Sequence, residues 1–278
     1  MSGPPKDELA GAPLGHATGY PDTYDPTQLF AIARAPQRAE LGLGEALPFT
    51  GSDIWTAYEL TWLDARGKPA IAIATLDVPA SSPSLIESKS MKLYLGTFAQ
   101  TSFATSEDVI ATLERDLAAR TGADVGVTLR APASFAVERF AELPGDSLDA
   151  LEIECVYDDI DARALSSGGS TVDEALTTNL FRSVCPVTGQ PDIASVRVAY
   201  RGPRIVRAGL LRYLVSYRRH PGFHEHCVER IFVDIAARCA PEALTVEARF
   251  TRRGGIDINP FRTSASLATP PNVRTARQ

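Results

Sequence analysis

The 278-residue chain is 44% hydrophobic and 22% charged, with a formal net charge of −6. Those proportions belong to a soluble globular protein, and the acidity argues against a non-specific polynucleotide binder, which needs a basic face. No run of about eighteen apolar residues occurs, so no membrane-spanning helix is expected, and four cysteines with no secretory leader suggest reduced thiols in the cytoplasm.

Residues 1–23, rich in Gly, Pro and Ala, read as a loosely ordered arm. A first unit is expected over 24–138. In it, the alternation of Ala57–Asp64 and the apolar run Pro69–Val78 predict two strands joined by a turn at Ala65–Lys68. Lys92–Phe98 reads as a further strand. Thr105 to Asp108 supplies capping chemistry for a helix with Val109, Ile110, Leu113 and Leu117 at helical spacing, stopped by Gly122. A strand follows from Val125 to Arg130. The boundary is expected between Leu129 and Leu148, around Pro144-Gly145. A second unit over 139–265 repeats the scheme. Strands are expected at Leu151–Tyr157, Ile193–Tyr200, Leu210–Arg218 and Leu244–Phe250, with a helix over Phe223–Cys239. Residues 266–278 read as a loose tail. Each half is thus an antiparallel sheet with about one long helix over it, an α+β arrangement.

The two units look like copies of one. Gly67-Lys-Pro-Ala-Ile-Ala72 matches Gly189-Gln-Pro-Asp-Ile-Ala194, and Ala118-Ala-Arg120 matches Ala236-Ala-Arg238. Where the copies differ, polar groups are divided between them. Cys185 and Asp192 of the second copy stand against Leu63 and Ala70 of the first. Glu87, Ser88 and Lys89 of the first stand against Val206, Arg207 and Ala208 of the second. One site drawing on both halves is the expectation.

Several residue types in these stretches carry chemistry. Cys185 opens a Pro- and Gly-bearing turn before a strand, a place that exposes a thiol, and a thiolate stabilised by nearby donors is a nucleophile. Asp192, across that turn, could return to the same cavity and move a proton. In Phe223-His224-Glu225-His226-Cys227, Glu225 could simply answer a helix dipole. The histidines with Cys227 raise zinc, although two-apart histidines face different ways on a helix. Arg252-Arg253-Gly254-Gly255 could hold phosphate through side chains and backbone N–H groups, or be an ordinary turn. No strand is followed by G-x-G-x-x-G, so a Rossmann site is not supported.

Taken together, Glu87-Ser-Lys-Ser-Met-Lys-Leu-Tyr94, Cys185-Pro-Val-Thr-Gly-Gln-Pro-Asp192, Phe223 to Arg230 and Arg252 to Pro260 resemble the QueF enzymes, the nitrile reductases of queuosine biosynthesis, in their long two-module form. The resemblance runs from about Tyr24 to Phe261, with Met91 where the family usually has Leu. It implies two tandem tunnelling folds, each an antiparallel sheet with helices packed on one side, and a homodimer. It also implies reduction of 7-cyano-7-deazaguanine to its aminomethyl form by two NADPH, without a metal. Cys185 would be the nucleophile, Asp192 the proton donor and His224 a stabiliser of the imine. Ile86, Glu87, Ser88, His224 and Glu225 would hold the base, and Ser88, Lys89, Arg253 and Gly254 would line the NADPH path. No direct nucleic-acid or membrane contact is implied. The alternatives are a zinc-dependent hydrolase resembling GTP cyclohydrolase I and a non-catalytic purine-binding module. A reversible link between Cys185 and Cys227 is a subsidiary expectation.

Overall fold

The computed structural model describes residues 19–155, 159–264, 270 and 272–278. Eight strands form one continuous sheet that both modules share. From the first come β2 (Thr50–Leu63), β3 (Pro69–Pro79) and β5 (Gly126–Arg130). From the second come β6 (Asp146–Ser147), β7 (Ser167–Val184), β8 (Pro191–Ile205), β9 (Ala243–Phe250) and β10 (Ile256–Thr263). The order is β5-β3-β2-β10-β9-β8-β7-β6, antiparallel except where β6 meets β7. The seam between modules is the β2–β10 pair, which runs in register from Ala57 opposite Ile256 to Thr50 opposite Thr263. Gly51 at this seam has φ 143°, and a Cβ there would lie 2.2 Å from the Phe261 carbonyl oxygen, so only glycine permits the approach. A short separate ribbon pairs β1 (Ala31–Ala33) with β4 (Ser84–Ile86), and α1 (Ala35–Glu40) follows β1.

The repeat holds in three dimensions: a long hairpin, two helices, then a return strand. The first copy carries α2 (Ser88–Gly96) and α3 (Ser106–Thr121), the second α4 (Arg207–Ser216) and α5 (His224–Cys239). Each copy of the repeat therefore has two helices where about one long helix was expected, and α1 stands outside the repeat. The stretches Lys92–Phe98 and Leu210–Arg218, read as strands, lie largely in α2 and α4. The reason is their period. Met91, Tyr94, Leu95 and Phe98, like Leu210, Tyr213, Leu214 and Tyr217, recur at i, i+3, i+4 and i+7, and all eight are buried. The expected strand at Leu151–Tyr157 is also absent over 151–155, while 156–158 lie outside the described residues. The α3 helix begins as its sequence says: Thr105 and Asp108 form a capping box, and Gly122 closes it at φ 75°.

The helices cover one face of the sheet and create two cores. One gathers Trp55, Leu60, Leu76, Tyr94, Leu113 and their neighbours, together with Ile256 and Ile258 contributed from β10. The other packs α4 and α5 on β7, β8 and β9. The opposite face is polar yet buried, with Thr245, Glu247, Arg249, Asp257 and Asn259 all below 9% exposure. Residues 272–278 lie against it, in place of the loose tail expected from composition. Gln278 donates to Asn259 at 2.7 Å and to the Phe250 carbonyl at 3.1 Å. Residues 1–18 of the expected arm lie outside the described residues.

Candidate active site

Three segments supply the reactive side chains. Cys185 follows the last residue of β7, and its amide donates to the Gln190 carbonyl at 2.8 Å while its own carbonyl accepts from Gly189 at 2.9 Å. This closed turn brings Cys185 and Asp192, the second residue of β8, to one end of the hairpin. His224 and Glu225 open α5. Ile86 and Ser88 flank the start of α2 in the other module. All six wall one cleft, floored by Ile256 and Ile258 of the seam strand.

Asp192 is the electrostatic hub. Its Oδ1 lies 2.6 Å from Arg253 Nη2 and 3.3 Å from His224 Nε2. The His224 ring stacks on Phe250 at 3.7 Å with planes 4° apart, which fixes its tilt. Its Nδ1 is buried and has no hydrogen-bond partner among the described residues. Glu225 is 3% exposed, and burial, with Asp53 as a like-charged neighbour, pushes its carboxyl up to about 7. Cys227, one turn into α5, is fully enclosed and its thiol is pushed up to about 12 by burial. Cys185 and Cys227 are both free thiols.

Glu87, Lys89 and Gly254 do not wall the cleft. Glu87 is fully buried as the N-cap of α2, accepting from the amides of Lys89 at 2.7 Å and Ser90 at 2.8 Å. Burial raises its carboxyl. Its counterpart Val206 caps α4 with no side-chain bond. Lys89 sits on the first turn of α2. Gly254 packs beside the cleft at φ 59°, where a Cβ would come within 3.2 Å of the Lys92 side chain.

Lys92 is the residue the sequence reading passed over. It lies one turn after Ser88 on α2 and faces the cleft with it. Burial, then the nearby Arg253, lowers its ammonium, while Glu87, Asp192 and Cys185 act to raise it. With α2 read as a strand, Ser88 and Lys92 could not be seen as i, i+4 partners. Among the described residues, no three His, Cys, Asp or Glu side chains converge as a metal ion would need, so the zinc alternative lacks a ligand set there.

The basic side chains fit a phosphate-bearing cofactor. Lys92 and Arg253 put two cations at the cleft, and bare Gly254 beside them allows a ligand close to the backbone.

Comparison with known proteins agrees. Residues 20–129 match the family model described as nitrile reductase, 7-cyano-7-deazaguanine-reductase N-term, and residues 191–269 match that of QueF-like protein. The NADPH-dependent 7-cyano-7-deazaguanine reductase of Bordetella pertussis is 55% identical over 97% of this chain and 99% of its own. That of Burkholderia pseudomallei is 55% identical over 96% of this chain and 98% of its own. That of Paraburkholderia phytofirmans is 53% identical over the same shares, 96% and 98%. A crystal structure of the archaeosine synthase QueF-Like in the apo form aligns with 36% of this chain and 99% of its own at 20% identity, with a TM-score of 0.31. Clear identity along almost the whole length places the chain: it belongs to the family of NADPH-dependent 7-cyano-7-deazaguanine reductases.

Proposed function

We propose that the chain reduces the nitrile of 7-cyano-7-deazaguanine to the primary amine, in queuosine biosynthesis, through a covalent link to Cys185. The observation that carries this reading is the meeting of Cys185, Asp192, His224 and Glu225 of one module with Ile86, Ser88 and Lys92 of the other in a single cleft. A nitrile carbon is a weak electrophile. Adding the Cys185 thiol across the triple bond forms a C–S bond and a thioimide, and the thiol proton reaches the nitrile nitrogen by way of Asp192. NADPH supplies one hydride to each of the two C=N stages. Between them the C–S bond breaks, the electron pair returns to sulfur, and the carbon is left as an imine. His224, whose Nε2 lies 3.3 Å from Asp192 Oδ1, steadies that imine.

Recognition follows from charge. Ionised Glu225 accepts from the N–H-rich edge of a guanine-like base, and Glu87 acts beside it by fixing the start of α2. Lys92 and Arg253, with Ser88, Lys89 and Gly254 on the same side, receive the cofactor's phosphates. A homodimer belongs to the same reading and is supported by exposed Leu151, Leu180 and Ile193 along one open groove. The free cysteines suit a reducing cytoplasm.

Intact-mass measurement after mixing substrate with enzyme alone tests the chemistry. An adduct of substrate mass is expected on the native chain and none on Cys185→Ala, which should also lose all turnover. An absence of adduct on the native chain, or consumption of one NADPH per amine formed, would contradict the reading.

A further inference from the structure

Behind Glu225 lies a set of buried charges that the reaction does not use directly. Arg34, between β1 and α1, donates to Asp53 of β2 at 2.5 Å and to the Ser82 hydroxyl at 3.2 Å. Arg262 of β10 reaches Asp53 at 2.8 Å and Glu229 of α5 at 2.9 Å, and Arg38 of α1 reaches Glu229 at 2.7 Å. None of these five residues is more than 8% exposed. Buried charge persists only when partnered, and here three guanidinium groups face two carboxylates. Glu225, one turn before Glu229 on α5, adjoins this cluster and feels Asp53 as a like charge and Arg34 as an opposite one.

The placement of this cluster matters as much as its balance. Arg34 directly follows β1, and β1 pairs Ala31 with Ile86, the cleft residue at the end of β4. Asp53 belongs to the seam strand of the first module, whereas Glu229 and Glu225 share a helix of the second. The cluster therefore ties the ribbon that presents Ile86 to the helix that presents Glu225.

We propose that Arg34 is a positioning residue of the reductase site, which with Asp53 sets the charge that the Glu225 carboxylate faces across the module seam. The inference rests on the reading of Glu225 as the group that binds the deazapurine. An ionised carboxylate accepts from the base's N–H edge, whereas a protonated one offers a competing donor. Arg34 and Asp53 face Glu225 from the first module. His224, Cys227 and Glu229 neighbour it on its own helix, and Arg262 stands behind them. Removing Arg34 leaves Asp53 with Arg262 as its ion-pair partner among the described residues, so more negative charge bears on Glu225. Removing the Asp53 charge does the opposite.

The test is the pH dependence of kcat/KM for 7-cyano-7-deazaguanine, from about pH 5.5 to about pH 9, in the full chain. Arg34→Met is expected to raise KM for the deazapurine on the order of tenfold at neutral pH and to move the acid limb up by about one pH unit. KM for NADPH should stay as it was, and Arg34→Lys should restore the limb. Asp53→Asn should move the limb downward. Loss of folding support alone would not send these variants in opposite directions. Limbs that stay put, or move the same way, overturn the proposal. Should Arg34→Met fail to purify, the direction given by Asp53→Asn decides. Glu225→Gln is the control: if it binds the deazapurine as the native chain does, the reading of Glu225 itself is at fault. If it loses binding while the limbs of the other variants stay put, Arg34 alone is misassigned.

Discussion

Replacing Glu225 by glutamine separates what this residue does to the fold from what it does for the ligand. Burial, ahead of the Asp53 charge, pushes its carboxyl from 4.5 to about 7. The folded protein thus holds the Glu225 proton more tightly than the unfolded chain. That stabilisation is fully present below 4.5 and is lost as the pH rises through about 7. At about 1.4 kcal/mol for each tenfold change in proton affinity, the ionised residue costs the native state roughly 3 kcal/mol near pH 8 and about 1 kcal/mol near pH 5. Glutamine is neutral throughout and escapes this cost. Glu225→Gln should therefore be the more stable protein at pH 8, with its advantage shrinking toward pH 5. Urea denaturation followed by the fluorescence of buried Trp55 and Trp62 reads this. With a urea slope of about 3 kcal/mol per molar, the midpoint should rise by about 1 M at the higher pH. The same variant should lose most of its affinity for the deazapurine. A midpoint equal to that of the native chain near pH 8, or a gap that does not change with pH, would refute the reasoning.

Glu229 makes the opposite case one turn along. Burial alone would raise its carboxyl, but Arg262, then Arg38 and Arg34, hold it down to about 2. Its contribution is present above 4.5 and lost as the pH falls through about 2. Glu229→Gln should cost about 3–5 kcal/mol at neutral pH, because it strands buried guanidinium groups, and thermal melts should show the deficit closing in acid. Gly254→Ala must adopt a left-handed backbone at φ 59° and press on Lys92. It should raise KM for NADPH severalfold and leave KM for the deazapurine unchanged, in initial-rate kinetics. Phe250→Leu removes the ring under His224, a contact of about 1 kcal/mol. Single-turnover rates should fall up to about tenfold, with both KM values near native.

The long hairpins and the helices α3 and α5 were legible because their signals are local. A capping box and a glycine stop bound α3, and a Gly/Pro turn separates Cys185 from Asp192. The helices α2 and α4 were not, since their short apolar runs also tolerate a strand reading until the i, i+3, i+4 pattern is counted. That one error hid Lys92. Of the polar groups split between Glu87-Ser88-Lys89 and Cys185–Asp192, Ser88, Cys185 and Asp192 line one cleft, whereas Glu87 and Lys89 stay outside its wall. What no pattern could supply is the buried partnership of Arg34, Arg38, Asp53, Glu229 and Arg262, whose members lie up to 228 positions apart from Arg34 to Arg262. Their pairing follows from the β2–β10 seam. Nor could the sequence distinguish Glu87 as a ligand contact from Glu87 as a helix cap, since a carboxylate at an N-cap serves either end.

The duplicated fold also predicts where chemistry cannot be transplanted. Leu63 and Ala70 occupy the hairpin positions of Cys185 and Asp192, so Leu63→Cys with Ala70→Asp would restore the thiol and carboxylate to the first module. A working site needs the facing start of a helix as well. In the second module that start is Val206 without a side-chain cap, followed by Arg207, whose guanidinium is held by Asp146 at 2.6 Å and Glu174 at 2.9 Å. No acceptor replaces Glu87, and the cation that stands at Ser88's position is engaged at the sheet edge. The double exchange, made in a Cys185→Ala background, should therefore consume no NADPH and form no adduct by mass. A covalent adduct on the new thiol would mean that the hairpin alone builds the reactive centre, and that the seam between modules is dispensable.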